Sequence, residues 1–422
     1  MKFEGVEDDG DVDDSTEEFS REKTSRNKER KRPAVAAGER AILVTFRDPF
    51  TENEAQGLLE AAGYVLAAKI LTKRLTHPQY GVGSGKAEEI RRVAEEEKTN
   101  LVVVDGRLSS SQAHNLARLT HQQVIDRERL ILNIFDKRAT SSEAKLQVKL
   151  AELKYEIPRA REAVRLSLKG EQAGFMGMGE YAVDIKFRAL KRQMAVLQKK
   201  LDQTRKRRDL FRTSRDRLSM PLVSLAGYTS SGKTTLFNRL VSETKEESSK
   251  LFTTLGTTTR GFEPLPGRRV LLSDTVGFIS RLPTYMIEAF KSTLEELTYA
   301  DLILLLVDAS EPPEVFETKY ASCRQVLEQL HIDPSRIIVI LNKLDALPTR
   351  AELGERAASL SGVPHLGISA RTGEGLRKLR ITLIERLFEV THEQPVEENY
   401  TDEVNSHEEK SLREPTELAR AK

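Results

Sequence analysis

Residues 227–234 have the composition and spacing of a phosphate-binding loop. The segment reads G-Y-T-S-S-G-K-T and matches the pattern G-x-x-x-x-G-K-[ST]. Glycines let the backbone aim amides at phosphate oxygens, the lysine reaches the outer phosphates, and the next hydroxyl can bind Mg²⁺. The residues predicted to contact the nucleotide here are Gly227, Tyr228, Thr229, Ser230, Ser231, Gly232, Lys233, Thr234 and Thr235. The alternative is a glycine-rich turn that matches the pattern by chance. The predicted strand before the loop and the predicted helix after it argue against this alternative.

A second glycine-rich segment, residues 81–86, reads G-V-G-S-G-K and looks similar. Tyr80 stands where a phosphate loop would need its first glycine, and Ala87 after the lysine has no metal-binding hydroxyl. The segment therefore predicts a turn that begins a helix, with a second phosphate site as the alternative.

Asn342, Lys343 and Asp345 form an N-K-x-D motif just past an apolar strand. The Asp345 carboxylate can accept hydrogen bonds from N1–H and the exocyclic amine of guanine, and adenine offers no such pair of donors. Asn342 can bond the base and hold neighbouring loops, while the Lys343 stem can cover the base. Ser369 and Ala370 follow a later strand, where backbone amides could meet the guanine O6. The motifs together predict GTP rather than ATP.

Residues 274–277 read D-T-V-G and follow another predicted strand. Asp274 can hold Mg²⁺ through water, and the Gly277 amide can bond the γ-phosphate. The further nucleotide contacts predicted here are Thr275 and Val276. Several threonines at 253–259 could supply the hydroxyl that binds Mg²⁺ only when the γ-phosphate is present. The residues alone leave that choice open, and surface threonines in a β-rich loop are the alternative.

These motifs follow strands of a doubly wound α/β domain, predicted for residues 219–392. Its predicted strands are 222–226, 269–274, 302–308, 336–341 and 365–369, with helices at 283–298, 313–330 and 350–361. A smaller α/β domain with a mainly parallel sheet is predicted at 39–140. Its predicted strands are 41–46, 64–71 and 100–105, with helices at 51–62, 86–97 and 110–120, the first opened by a capping box of Thr51 and Glu54.

Residues 141–218 predict a helical hairpin around a glycine-rich loop. Apolar residues recur at 146, 150, 153 and 157, and again at 187, 190, 194, 197 and 201, and Pro158 interrupts or follows the first helix. Residues 143–217 hold 20 Lys and Arg against 10 Asp and Glu. This charge favours contact with RNA phosphates, and a solvated helix face is the alternative.

Composition restricts the class of protein. The chain has 422 residues, one cysteine, and no apolar run of the length that a membrane helix needs. The acidic N-terminus lacks the apolar core of a signal peptide, and a single cysteine excludes an internal disulfide framework, so we expect a cytoplasmic protein with no membrane span. Residues 1–38 predict a disordered charged arm and 393–422 a disordered acidic tail.

The chain resembles translation-factor-related GTPases and, more narrowly, the HflX family of ribosome-associated GTPases. The resemblance rests on segments 227–233, 252–260 and 274–279, and in the N-terminal half on 124–127, 130–135 and 145–151. It implies an N-terminal α/β domain, a helical hairpin and a GTPase domain that binds the large ribosomal subunit and its rRNA. Some members split ribosomes, so splitting or rescue of ribosomes is an expected role.

The resemblance also implies site residues. Thr254 becomes the expected switch threonine, which makes Thr234, Thr254 and Asp274 the expected Mg²⁺ site and Lys233, Thr254 and Gly277 the expected catalytic residues. Phe278 stands where many GTPases carry a water-orienting Gln, so slow hydrolysis stimulated by the ribosome is implied; simple core packing of Phe278 is the alternative. Ser230 stands where the family commonly has Asn, which leaves potassium activation open.

Two other functions compete with a GTP-switched ribosome factor. A P-loop kinase would need an acceptor pocket with a lid, and the sequence has no lid-like Arg cluster. A scaffold with structural GTP would bind the nucleotide tightly and hardly hydrolyse it. We expect a monomer, with dimerisation through the hairpin as the alternative.

Overall fold

The computed structural model describes residues 38–170, 178–217, 220–241, 257–347 and 349–388. Residues 1–37 of the predicted arm, the predicted tail, most of the glycine-rich loop and Thr254 lie outside these ranges. The chain divides into two compact units, Met1–Lys137 with Val148–Val196, and Arg138–Gln147 with Leu197–Lys422. The domain boundaries drawn from the sequence stay a prediction.

The first unit contains a four-stranded sheet in the order β2-β1-β3-β4, and every pair is parallel. The strands are β1 (Arg40–Phe46), β2 (Val65–Thr72), β3 (Leu101–Val104) and β4 (Gln123–Asp126). Its helices are α1 (Pro49–Ala61), α2 (Ser84–Glu96), α3 (Ser110–Thr120) and α4 (Arg127–Arg138). The predicted parallel sheet is confirmed; β4 and α4 were not predicted. Helix α2 begins at Ser84, so residues 81–86 form a turn that begins a helix, as predicted.

Helix α1 begins earlier than predicted. The sequence indicated Thr51 as its cap, but Asp48 caps the helix, and its carboxylate accepts hydrogen bonds from the Thr51 amide and hydroxyl. Pro49 takes the first helical position, where a missing N–H costs nothing. The prediction of Thr51 as the cap was therefore wrong.

An ion cluster lies at the carboxyl ends of β1, β3 and β4. Arg127 donates to Asp105 and to Glu54, each over 2.6 Å, and Thr45 donates to Asp105 over 3.0 Å. Open α/β sheets bind ligands where the strand order reverses, here between β1 and β3. In this unit, internal side chains occupy that position.

The hairpin helices are α5 (Ser142–Gly170) and α6 (Met178–Arg217). Helix α5 continues through Pro158, so the predicted interruption does not occur. Proline inside a helix costs about 3 kcal/mol, and contacts on both sides offset this. Tyr155 and Arg159 both donate to Asp126 at the end of β4, over 3.0 and 2.6 Å.

The second unit contains a six-stranded sheet in the order β10-β9-β8-β5-β7-β6. The strands are β5 (Leu222–Gly227), β6 (Thr258–Leu265), β7 (Arg268–Asp274), β8 (Leu302–Asp308), β9 (Ile337–Asn342) and β10 (His365–Gly367). All neighbours are parallel except β6, an edge strand antiparallel to β7. Strand β6 was not predicted, because its threonines and Gly261 read as a loop. The predicted doubly wound α/β class is confirmed.

Helices flank this sheet. They are α7 (Lys233–Val241), α8 (Thr284–Ala289), α9 (Lys291–Thr298), α10 (Pro313–Gln329), α11 (Arg350–Ser359) and α12 (Leu376–Phe388). The predicted helix 283–298 is two helices that meet at Phe290, whose backbone departs from helical geometry and whose side chain is buried. Within the described ranges, no helix is both long and apolar enough to cross a membrane.

Candidate nucleotide-binding site

The predicted phosphate loop connects β5 to α7 and needs glycine at two positions. A Cβ on Gly227 would lie 2.3 Å from the Leu306 carbonyl oxygen, and one on Gly232 would lie 2.2 Å from Asn342 Nδ2. Both residues have positive φ, 145° and 93°. Close packing against β8 and the N-K-x-D motif therefore explains the spacing of the glycines.

Lys233 opens α7 with its side chain turned back into the loop. Its Nζ donates to the carbonyls of Gly227 and Tyr228, over 3.0 and 2.8 Å. Burial lowers the pKa of Lys233 to about 8, and the charge of Asp274 opposes that decrease. The ammonium is thus held at the concave side of the loop, where phosphates are predicted to bind.

Asp274 ends β7 beside the start of α7. Its Oδ2 accepts a hydrogen bond from the Thr234 hydroxyl over 3.2 Å, and its side chain is fully buried. The next residue, Thr275, donates to the Leu225 carbonyl over 2.6 Å, which ties the motif to β5. A carboxylate and a hydroxyl oxygen side by side are ligands that suit Mg²⁺, so these two residues fit the predicted metal.

Gly277 lies tightly against the phosphate loop. A Cβ there would be 2.9 Å from Thr229 Cγ2 and 3.1 Å from Lys233 Nζ. The ring of the next residue, Phe278, is 2% exposed, and the side chain of Val276 on the other side of Gly277 is also buried. An enclosed ring agrees with the alternative that Phe278 is a core residue, while its backbone stays beside the loop.

The N-K-x-D motif, which is predicted to bind the base, is connected to the phosphate loop through Asn342. Its Nδ2 donates to the Ser231 carbonyl over 2.8 Å, and its Oδ1 accepts from the Ala370 amide over 2.9 Å. Asp345 accepts from the Ser369 hydroxyl over 2.5 Å. The structure therefore brings the three predicted loops together, and the contact of the Ala370 amide with guanine O6 stays a prediction.

Three contacts at the site were not predicted. Asp308 at the end of β8 pairs with Lys343 Nζ over 2.6 Å, and Arg371 Nε lies 3.4 Å from Asp345 Oδ2. The Tyr228 hydroxyl accepts from the Ser280 amide over 2.7 Å. A signal existed for Asp308, since it ends a strand next to β5 just as Asp274 does. The two other contacts depend on loop conformation.

Family models match three consecutive parts of the chain. Their descriptions are GTP-binding GTPase N-terminal for residues 51–136, GTP-binding GTPase Middle Region for 138–215, and 50S ribosome-binding GTPase for 222–343. Among solved structures, a GTP-binding protein from Sulfolobus solfataricus in complex with GDP is 25% identical, with a TM-score of 0.45 over 84% of this chain and all of that one.

Several relatives share the name GTPase HflX. The relative from Thermofilum pendens is 40% identical over 362 residues, which cover 83% of this chain and 84% of the relative. That from Thermococcus kodakarensis is 43% identical over 71% of this chain and 68% of its own length, and that from Escherichia coli is 35% identical over 83% of each. Identity at this level over most of both proteins means that the chain belongs to the HflX family of GTPases, which bind GTP and hydrolyse it.

Proposed function

We propose that this chain is a GTP-switched factor that binds the large ribosomal subunit through its rRNA and acts there in splitting or rescue of ribosomes. The observation that carries the nucleotide-binding part of this proposal is the position of Asn342, bonded to the phosphate loop on one side and to Ala370 on the other. The description of the matched GTPase model supports the ribosomal partner.

The proposed base site assigns guanine recognition to Asp345. One of its carboxylate oxygens accepts from the Ser369 hydroxyl, and the other lies near Arg371 Nε. Asn342 keeps this loop at a set distance from the phosphate loop, while the pair of Lys343 with Asp308 fixes the lysine stem. A nucleotide without donors for the carboxylate would displace water from it without replacing the hydrogen bonds that the water made, which is costly.

The proposed phosphate and metal sites use Lys233, Thr234, Asp274 and Gly277, with Thr254 as the switch threonine. When bound, Mg²⁺ neutralises charge that develops on the phosphates. Lys233 and the loop amides hold the phosphate oxygens, and the Gly277 amide faces the γ-phosphate. Phe278 cannot orient a water molecule by hydrogen bonding, which supports slow intrinsic hydrolysis and stimulation by the ribosome.

The proposed RNA contact uses the positive charge of the hairpin. Residues 143–217 carry ten more cations than anions, and Lys199, Lys200 and Lys206 on α6 are exposed. Exposed cations on a long helix can neutralise phosphates and release counterions. We propose a monomer that works in the cytoplasm.

Release of phosphate from GTP tests this proposal, measured with and without purified large subunits in the wild type and in Lys233→Ala. We expect slow turnover alone, at least about a tenfold increase with large subunits, and no turnover in Lys233→Ala. A rate that large subunits leave unchanged would remove the ribosome as the activating partner. Activity that survives in Lys233→Ala would move the catalytic site elsewhere.

A further inference from the structure

We propose that Tyr228 is a positioning residue for GTP hydrolysis, acting through residues 277–280, here called the Gly277 segment. The inference rests on the proposed nucleotide site and gives the Tyr228 side chain a task separate from phosphate binding by the loop. Its hydroxyl accepts a hydrogen bond of 2.7 Å from the backbone amide of Ser280, 52 positions away in sequence. The phenol therefore links the phosphate loop to the far end of the segment.

The backbone pairs the same segment with the loop. The Phe278 amide donates to the Gly227 carbonyl over 3.0 Å, and the Thr229 amide donates to the Phe278 carbonyl over 2.8 Å. Both of these hydrogen bonds involve Phe278. They fix the position of the Gly277 segment at that residue, but they permit the segment to rotate about it. The bond at Ser280, two residues further on, removes this pivot. Together the three bonds set the direction in which Gly277 faces.

Gly277 requires an accurate position because it lies against Lys233. Only the lack of a side chain permits this approach, since a Cβ would be 3.1 Å from the lysine Nζ and 2.9 Å from Thr229 Cγ2. Misplacement of a catalytic group by about 1 Å can reduce a rate about 10²-fold. A pivot of the Gly277 segment would produce a displacement of this kind.

The Tyr228 ring is itself held in place, so its hydroxyl can fix the position of the Gly277 segment. It is 4% exposed, and Lys319 Nζ of α10 lies 5.3 Å from the ring centroid. Lys319 also pairs with Glu311. A backbone hydrogen bond from Tyr228 reaches the buried Cys323 of the same helix. The phenol is therefore fixed from α10 while its hydroxyl points to the segment.

Tyr228→Phe tests the proposal because it keeps the ring and removes the acceptor. We expect single-turnover hydrolysis of GTP to fall about tenfold or more, with affinity for GDP within about twofold of the wild type. Hydrogen exchange at the Ser280 amide should become faster, a change confined to the Gly277 segment. The control is Tyr299→Phe, a half-exposed tyrosine after α9 for which we expect wild-type behaviour in all three measurements.

Hydrolysis within about twofold of the wild type overturns the proposal, and so does unchanged exchange at Ser280. A parallel loss of GDP affinity also overturns it, because that indicates damage to binding. Tyr228→Leu, which removes ring and acceptor, must lose at least as much rate while its far-UV spectrum stays native. Failure of the proposed function looks different, since the wild type itself would then lack GTP turnover or its stimulation by large subunits.

Discussion

Asn342 Nδ2 donates to the Ser231 carbonyl over 2.8 Å and so joins the N-K-x-D motif to the phosphate loop across 111 residues. Its Oδ1 accepts from the Ala370 amide, which leaves the amide group of Asn342 fixed at both ends. Gly232 makes this approach possible, because any Cβ there would collide with the same nitrogen. The predicted base site and the predicted phosphate loop therefore share one rigid connection.

Replacing the acceptor of the base site should change which nucleotide is preferred. In Asp345→Asn the side-chain amide can donate to the 2-oxo group of xanthine, while it no longer offers two acceptors to guanine. We expect GTP to bind at least about tenfold more weakly and XTP to bind more tightly than in the wild type. Titration of both proteins with both nucleotides measures this. A variant that still prefers GTP over XTP would show that Asp345 does not contact the base.

The buried ion cluster of the first unit should make a large contribution to stability. Arg127→Met removes the guanidinium that pairs with the buried carboxylates of Asp105 and Glu54. Removing one partner of a buried ionic group costs about 3–5 kcal/mol. Urea unfolding of the full chain, followed by far-UV circular dichroism, should show a first transition at clearly lower urea.

A surface arginine provides the control for this variant. Arg91 pairs with Glu88 and Glu95 on the exposed face of α2, where water screens the charges. Arg91→Met should therefore unfold almost as the wild type does. Equal shifts in both variants would mean that the cluster contributes no more than a surface ion pair.

The single cysteine should resist alkylation in the folded protein. Burial raises the pKa of the Cys323 thiol to about 12 from its ordinary value of 9.0, although Lys233 works against the increase. The thiolate is the reactive form, so its fraction at pH 8 should be lower by about a thousandfold. Mass spectrometry after iodoacetamide treatment should find label only in protein unfolded with guanidinium chloride. Complete labelling of native protein within minutes would contradict this expectation.

The same shift has a consequence for stability in alkali. Between pH 9 and 12 the unfolded chain releases the Cys323 proton and the folded chain keeps it, so the free energy of unfolding falls as pH rises through this range. Cys323→Ser, whose hydroxyl does not titrate there, should show a smaller decrease above pH 9.

The basic end of α6 should account for part of the salt dependence of ribosome binding. Replacing Arg205, Lys206, Arg207 and Arg208 with Gln keeps helix propensity and removes four charges. Binding to large subunits should weaken, and the slope of log affinity against log salt should fall by about 2–4. Unstimulated hydrolysis should barely change.

A matched set of four cations on and just after α2 controls for net charge. Lys86, Arg91, Arg92 and Lys98, also changed to Gln, should leave the salt slope of subunit binding near its wild-type value. If the α6 variant binds with wild-type affinity and slope, its four cations form a solvated face. The RNA contact would then come from another part of the chain.

Local patterns in the sequence were sufficient to predict the chemical motifs of the site and the class of fold. The spacing of Gly227, Gly232 and Lys233 predicts a phosphate loop, because such a loop is a local structure formed by consecutive residues at the end of a strand. The strands around it are buried, so their apolar runs mark them, and parallel order brings their carboxyl ends to one edge. Such an edge is where the N-K-x-D motif and the phosphate loop meet, as the bond from Asn342 to Ser231 shows.

The contacts between loops could not be predicted from local patterns and are seen only in the folded chain. The bond from Ser280 to the Tyr228 hydroxyl and the cluster around Arg127 join residues far apart in sequence. The hydrophobic periodicity of the sequence does not predict which of these residues contact one another. The edge strand β6 was not predicted because it lacks an apolar pattern. Its backbone pairing with β7 holds it in the sheet. Helix α5 passes through Pro158 because contacts of Tyr155 and Arg159 with Asp126 offset the local cost. Local propensity predicts most helices and strands. It fails where long-range contacts stabilise a segment against its local preference.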